Sequence, residues 1–482
     1  MKGIFVFIFL GLVINQSGFA LPLGTIKGET SDKHPNVVFF LVDDLGWKDV
    51  RAYGSDYYQT PNVDGLVTDG VMFVNAYSSC TVCSPSRASI MTGKYPAKLH
   101  CTDWIEGWKY PHAKLKIPDW TMYLAPEEVT MAEAFKKSGY VTGHFGKWHL
   151  GEDEKYWPEN HGFDINVGGW AKGSPNKSRD LGSNGYFPPY GNPRLSDPGK
   201  EEYLTQRLAN EACEFIDAHK DSPFFLNFWF YNVHTPLQAE DDKIEKYQEL
   251  VDSANYQKNP VYAAMVEHMD DAVGQVVHKL KNLGLYDNTI IIFTSDNGGL
   301  VGNGKKKVTN NYPLRSGKGD IYEGGVRVPL IIRSPGITHA GAVDSNLVIS
   351  TDFLPTLIDL AHLSSTKEVI AALDGVSLLP ILQKSGKKLS RDEIFWHYPH
   401  YHIEGATPYS AVRKGDWKLI HIMESDNYEL YNLKEDFGEA NDLSNQYPGI
   451  LENLKLDLIR WKVKMKAQMP MPNPDYDPTK RK

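Results

Sequence analysis

Two acidic pairs and one cysteine-led segment carry the residues of this chain best suited to chemistry. Asp43 and Asp44 follow the apolar run "NVVFFLV" (36–42), and Asp296 and Asn297 follow "NTIIIFTS" (288–295). These side chains offer only oxygen ligands, which suits a hard divalent ion, and a mixed carboxylate and amide cage suits Ca²⁺ better than Mg²⁺. Either pair alone reads as turn residues after a strand; the two together, beside the third segment, point to a metal. That segment, "CSPSRASIMTG" (83–93), puts Pro85 in the first turn of a helix that Gly93 ends, with Cys83 at the N-terminus and Arg87 close behind. Such an end favours an anion, and the guanidinium adds a full charge and fixed donors. A buried structural thiol and a Cys80-x-x-Cys83 redox pair are the competing readings.

These residues need elements that bring them together. The runs at 36–42, 223–233 ("PFFLNFWFYNV") and 288–295 are short and rich in β-branched or aromatic residues, the pattern of buried strands. His234 follows the second. Ligands of open α/β sheets bind beyond the carboxyl ends of strands, so the three endings can meet at one site. Leu204, Leu208, Ala212 and Phe215 recur at helical spacing, as do Met265, Met269, Val273, Val276 and Leu280. Alternating strands and helices predict an α/β layered fold. The Gly-, Ser-, Asn- and Pro-rich stretch 170–200 predicts a long surface loop that forms part of a pocket rim. The polar segment "QKSGKKLSRDE" marks a boundary between a domain over 36–383 and a smaller α+β unit over 384–482. In the latter, "YSAVRKGDWKLIHI" and "NYELYNL" read as antiparallel strands and "GILENLKLDLIRWKVKM" as a closing helix. The tail from Met469 is expected to be loose.

With 482 residues, two domains are expected. A composition of 41% hydrophobic and 23% charged residues is that of a folded chain, and four cysteines are too few for a disulfide framework. A net charge of −9 argues against nucleic acid as a partner. Residues 1–20 have the form of a removed signal peptide: Lys2, an apolar run too short to span a bilayer, then Gly18 and Ala20. The mature chain is therefore expected to be exported, to a periplasm or the medium, with no membrane anchor.

Cys83-Ser84-Pro85-Ser86-Arg87, continuing to Thr92-Gly93, resembles the C-x-P-S-R signature of formylglycine-dependent sulfatases of the alkaline-phosphatase superfamily. "GYVTGHFGKWHLG" (139–151), "HGFD" (161–164), "DDLGW" (43–47), "VHTPL" (233–237), "TSDNGG" (294–299) and "GKGDIYEGGVRVPLII" (317–332) extend the likeness in order, from Asn36 into the C-terminal region. The resemblance implies a mixed sheet flanked by helices and a sulfuric ester hydrolase. It implies that a maturation enzyme oxidises Cys83 to formylglycine, whose hydrate shares one Ca²⁺ with Asp43, Asp44, Asp296 and Asn297 and attacks sulfur. In that scheme Arg87 and Lys147 stabilise the nucleophile, His234 protonates the leaving oxygen and Lys318 contacts the sulfate. His149 takes the proton of the second hydroxyl, so that sulfate leaves by C–O cleavage. His144 reads as a hydrogen-bonded core residue, and Arg327 as an organiser of its loop.

Sulfate monoesters are anionic, so a site for them must gather cations and protonate a poor leaving group. The leaving group is read from "CTDWIEGWKYPH" (101–112), "GGW" (168–170) and "WHYPHYH" (396–402), loop-like stretches whose aromatic faces and polar edges suit a sugar. Asp103, Trp104, His397 and His400 are the candidate sugar contacts. "LHCTDW" with "FWHYPHYH" resembles bacterial sulfatases acting on galactose or N-acetylgalactosamine units, often at the 4-position. Three rivals remain at this level: a phosphomonoester or phosphonate hydrolase on the same fold, a noncatalytic binder of sulfated glycans, and the redox reading through Cys80 and Cys83.

Overall fold

Every residue of the strand Asn36–Val42 is buried, and its side chains alternate between two cores: Val38, Phe40 and Val42 in one, Val37, Phe39 and Leu41 in the other. A strand apolar on both faces belongs in the middle of a covered sheet. The computed structural model describes residues 34–480 apart from 176, 179, 181, 198–200, 303–306 and 337–338, so the signal segment read at 1–20 lies outside the described residues. The main sheet contains β1 (Asn36–Val42), β2 (Val71–Phe73), β3 (Val141–Gly146), β4 (Ile165–Val167), β5 (Phe224–Trp229), β6 (Thr289–Ser295), β7 (Leu330–Arg333) and β8 (Ala342–Asp344). Its eight strands run in the order β8-β2-β7-β6-β1-β5-β3-β4. From β6 to β4 all neighbours are parallel; β7 pairs antiparallel with β6 and with β2, and β8 runs parallel to β2, so the sheet is mixed.

Helices cover both faces. On one lie α2 (Leu204–His219) and α3 (Pro260–Asn282), with Leu208, Ala212, Met265, Met269 and Val273 in the core shared with Val38 and Phe40. Helix α3 starts where Asn259 accepts hydrogen bonds from the backbone N–H groups of Val261 and Tyr262 with Pro260 in the first turn, a side-chain cap followed by a preset φ. The other face carries α1 (Cys83–Thr92) and α4 (Phe353–Leu360), through Ala88, Ile90, Met91, Leu354 and Leu357. Burying one such aliphatic or aromatic side chain contributes roughly 1.5–3 kcal/mol. Helix α1 stops at Gly93, whose φ of 67° is the left-handed cap that favours glycine.

A four-stranded antiparallel sheet, β9 (Glu393–Tyr398), β10 (Tyr409–Lys414), β11 (Trp417–Ile422) and β12 (Asn427–Asn432), packs with α5 (Pro448–Met465). Its core also takes in Tyr77, Cys80, Val82, Ile321 and Val326. Strand β9 corrects the loop-like reading at 396–398, while 399–402 is a loop: "EIFWHY" pairs in register with β10 and buries five of its six residues, as an aromatic and β-branched run does in a sheet. The tail is a second correction. Met471 and Pro472 pair with Lys116 and Leu115, and Asn473 and Asp477 bond the backbone of residues 111–114. No helix among the described residues is long and apolar enough to cross a membrane.

Candidate active site

Strands β6, β1, β5 and β3 are neighbours and parallel, and their registers match Val42 with Ser295 and Trp229 with both Leu41 and Gly146. The residues beyond each strand therefore emerge at one edge: Asp296 and Asn297 after β6, Asp43 and Asp44 after β1, His234 beyond β5, and Lys147 and His149 after β3. Backbone bonds continue the alignment, from Asp43 N–H to the Asn232 carbonyl (2.9 Å) and from Val233 N–H to the Asp43 carbonyl (2.7 Å). Asp44 and His149 take φ near 60°, a left-handed conformation that bulky residues keep only where the surroundings hold it.

Helix α1 points its N-terminus at this edge. Arg87 is fully buried; its Nε and Nη2 stand 2.9 and 2.8 Å from Asp296 Oδ2, its Nη2 is 3.6 Å from Asp43 Oδ1, and its Nη1 donates to the Lys147 carbonyl at 3.0 Å. Lys147 Nζ lies 2.7 Å from Asp43 Oδ2, and Lys318 Nζ 2.8 Å from Asp44 Oδ2. Asn297 Nδ2 donates to Asp44 Oδ1 at 2.8 Å, and the Asp44 N–H to Asp296 Oδ1 at 3.1 Å. Three carboxylates and three cations thus interleave. Burial pushes the Asp43 carboxyl well above its usual range, with Asp296 and Asp44 adding to it against Lys147 and Arg87. Burial also works against the charge of Asp44, but Lys318, His234 and Lys147 outweigh it and hold that carboxyl below the usual range.

Two oxygens in the cluster, Asp43 Oδ1 and Asn297 Oδ1, are buried without a hydrogen-bond partner. Leaving a buried acceptor unsatisfied costs about 1–3 kcal/mol, and these two are what a hard cation would take up. Asp43, Asp44 and Cys83 place one ligand atom each within 4.8 Å of one another. The donor set fits a divalent ion of the calcium type.

Cys83 opens from this cluster into a cleft of about 400 Å³ that His149, His234 and Lys318 also line. Burial pushes its thiol up, against Lys147 and Lys318. Cys80, the other half of the redox reading, is packed in the core of the small sheet. The His149 Nε2–H donates to the Ile105 carbonyl, leaving Nδ1 buried and unpartnered; burial, then Lys147, keeps the ring neutral. A Cβ on Gly173 would stand 2.4 Å from the His149 ring, so the 170–200 loop closes on it at a glycine. The His234 Nδ1–H donates to the Thr235 carbonyl at 2.8 Å, and Nε2 lies 3.6 Å from Asp44 Oδ2. Burial, then Lys318, lowers His234 to about 3. Lys318 is carried by a segment anchored on the small sheet: Glu323 lies 2.9 Å from Lys418, which also pairs with Glu439 at 2.8 Å, and Arg327 bonds Glu323 and the Val74 carbonyl at 2.7 Å each. His144 is a satisfied core residue, bonded to Asn227 at 3.0 Å.

Of the four candidate sugar contacts only Trp104 lines the cleft. His397 is held by Ser410 Oγ (2.8 Å) and the Gln468 carbonyl (2.7 Å), and His400 bonds Thr102 at 2.8 Å with its ring against Trp120. Both are buried behind the cleft wall, correcting their placement at the sugar. Asp103 is also buried and fixes the loop, accepting from the Tyr398 hydroxyl at 2.7 Å and the Trp104 N–H at 2.9 Å. The rim is instead completed by Glu106, Trp108, Lys172, His402 and Glu404, which the sequence did not single out. Trp108 and Glu106 lie in a stretch whose aromatic content was its only signal; Lys172 lies in the loop expected at the rim.

The family model for sulfatases matches residues 35–363, and the model for the C-terminal region of N-sulphoglucosamine sulphohydrolase matches 317–464. A sulfatase of Formosa agariphila is 31% identical over 93% of this chain and 90% of its own length. Human N-acetylgalactosamine-6-sulfatase is also 31% identical, over 88% of this chain and 79% of its own. Among solved structures, Ps i-CgsB in complex with k-i-k-neocarrahexaose superposes with a TM-score of 0.73 at 29% identity, covering 92% of this chain and 95% of that one. A phosphonate monoester hydrolase of Agrobacterium radiobacter, 20% identical with a TM-score of 0.64 over 91% of this chain and 97% of its own, shares the fold. With this extent of likeness on this mixed sheet, the chain belongs to the sulfatase family of the alkaline-phosphatase superfamily and is a sulfuric ester hydrolase.

Proposed function

We propose that this enzyme removes sulfate from sulfated saccharides, with residue 83 as the nucleophile after oxidation to formylglycine and with a Ca²⁺ held by Asp43, Asp44, Asp296 and Asn297. The observation that carries this reading is the position of Cys83: it sits at the N-terminus of α1, opens into the cleft, and shares it with two lysines and two histidines in reach of an anion. The ion would supply charge neutralisation at the nucleophile and at the sulfate oxygens, and hydrated formylglycine would supply the attacking oxygen. Lys318 binds a sulfate oxygen from the cleft side while Asp44 holds its ammonium. Arg87 and Lys147, fixed by Asp296 and Asp43, stabilise the developing charge. His149 Nδ1, a neutral and unpartnered base, accepts the proton of the second hydroxyl. His234 is neutral in its present surroundings; the negative charge of an arriving sulfate ester favours its protonation, after which Nε2 can donate to the leaving alkoxide.

The names of the relatives support a sugar as leaving group, as does the Trp104 and Trp108 rim. We take a galactose or N-acetylgalactosamine unit as the sulfated residue, with 4-O-sulfate the position read from the sequence and 6-O-sulfate the position in the human relative's name. The leader-like sequence of residues 1–20 supports an exported enzyme, and the Cys83-Ser84-Pro85-Ser86-Arg87 segment supports its maturation by a formylglycine-generating partner. Two measurements on natively produced protein test the proposal. Peptide mass spectrometry should show residue 83 lighter than cysteine by about 18 Da. Sulfate release from N-acetylgalactosamine 4-sulfate and 6-sulfate, with the matching phosphate esters as controls, should identify the position. An unmodified thiol in active protein would overturn the nucleophile, and faster turnover of the phosphates would overturn the substrate.

A further inference from the structure

The catalytic cleft does not end at its rim. Across a ridge made by His402 and Ile403 lies a second cleft, of about 670 Å³, which these same two residues also line. Its far wall is the C-terminal tail. That tail contributes no buried side chain from residue 466 to 480, so apolar packing does not account for its position. It is fixed by hydrogen bonds: Asn473 Nδ2 to the carbonyls of Pro111 (2.9 Å) and Ala113 (2.7 Å), Asn473 N–H to Lys114 (3.2 Å), and Asp477 N–H to His112 (3.2 Å).

We propose that the tail walls a subsite that takes the saccharide unit attached to the sulfated one, so that the enzyme acts on oligosaccharides in preference to single sugars. The inference rests on the saccharide reading of the catalytic cleft. Tyr476, 49% exposed, and Tyr110 present aromatic rings in the second cleft, and Ile403, 63% exposed, crowns the ridge between the two. Large apolar side chains left exposed beside an active site mark a binding surface, and flat rings suit the apolar face of a sugar. Among the described residues the charges balance: Lys114 and Lys480 against Glu424 and Asp477. Lys114 Nζ donates to the Glu424 carbonyl at 2.7 Å rather than to a carboxylate. A cleft of this kind fits a hydroxyl-rich sugar with little charge of its own better than a dense polyanion.

The test compares the matured full-length enzyme with Tyr476→Ala and with a chain ending at residue 469, on neocarrageenan hexasaccharides, on sulfated monosaccharides and on 4-nitrocatechol sulfate. Tyr476 is exposed, so its removal leaves the fold intact. The expected result is a fall of about tenfold in kcat/KM on a hexasaccharide, with the monosaccharide and the aryl sulfate within about twofold of wild type. Equal effects on long and short substrates, or none on either, would overturn the subsite. If no saccharide is desulfated, the saccharide reading of the catalytic cleft fails by itself. Retention of the same hexasaccharides in affinity electrophoresis, lost in Tyr476→Ala, would then still uphold the second cleft, and absence of retention would overturn it.

Discussion

Asp296 Oδ2 accepts a hydrogen bond from Arg87 Nε at 2.9 Å and lies 2.8 Å from Nη2, a two-pronged ion pair with neither side chain exposed to solvent. A guanidinium can make this fork and still reach the Lys147 carbonyl; an ammonium cannot. Removing the cation leaves Asp296 and Asp43 buried and short of positive charge, which typically costs about 3–5 kcal/mol. Arg87→Met should therefore lower unfolding free energy by that order in denaturant titrations. Arg87→Lys should fold better and still lose about 10²–10³ in kcat, since one fixed donor to the developing charge is gone. Full activity in Arg87→Lys would show the fork to be structural only.

Asp43 Oδ1 and Asn297 Oδ1, buried without a hydrogen bond, predict a coupling between metal and stability. Chelation of Ca²⁺ should abolish sulfate release and lower the melting temperature, and both should return on adding Ca²⁺ but not Zn²⁺, which prefers nitrogen and sulfur. In Asn297→Leu the melting temperature should no longer respond to Ca²⁺ at concentrations that saturate wild type. A calcium-independent melt in the wild-type protein would remove the ion from this cluster.

The site was legible where strand chemistry announces it. Runs such as 36–42 are apolar on both faces, so they belong mid-sheet, and the residues at the carboxyl ends of neighbouring parallel strands meet at one edge. That rule alone brought Asp43, Asp44, Asp296, Asn297 and His234 together. The start of α1 at Cys83 and its stop at Gly93 came from equally local rules. The rim was not legible. Glu106, Lys172, His402 and Glu404 lie on loops, where no periodicity fixes direction, and their meeting depends on long-range packing. His397 failed for the opposite reason: it lies on a strand, in register with Ser410, which turns it into the wall.

Gly173 offers a mutation that acts through position alone. A methyl group there would stand 2.4 Å from the His149 ring, whose other nitrogen is tied to the Ile105 carbonyl. Gly173→Ala should push either the ring or the loop aside and reduce kcat, while binding and melting temperature stay close to wild type because the loop is at the surface. Equal loss of stability and activity would instead mark Gly173 as a folding residue.

Asp103 supplies a pH signature. Burial pushes its carboxyl up to about 7 against bonds from Tyr398 and Trp104, both of which end on Oδ1, while Oδ2 is buried without a hydrogen-bond partner. The unfolded carboxyl titrates at about 3.9. Below that value both states are protonated; between about 3.9 and about 7 only the folded state keeps the proton, so this group's contribution to stability falls as pH rises and is lost above about 7. In Asp103→Asn that slope should be missing. Melts of both proteins from about pH 4 to pH 8 should show the variant losing less stability than wild type; parallel curves would place the Asp103 titration elsewhere.

In the proposed mechanism the proton on His234 is needed only when the leaving group is a poor one. An alkoxide expelled from a sugar must be protonated as the S–O bond breaks, whereas a nitrophenolate leaves without help. His234→Ala, which retains Lys318, Arg87 and the strand ends that hold them, should therefore lose about 10²–10⁴ in kcat/KM on a sugar sulfate and far less on 4-nitrophenyl sulfate. The difference between the two substrates is the informative quantity, because loss of a merely structural histidine would slow both alike. If the losses match, the donor is another group in the cleft, and His402, which lines it and feels Lys318 and Asp44, is the next residue to change.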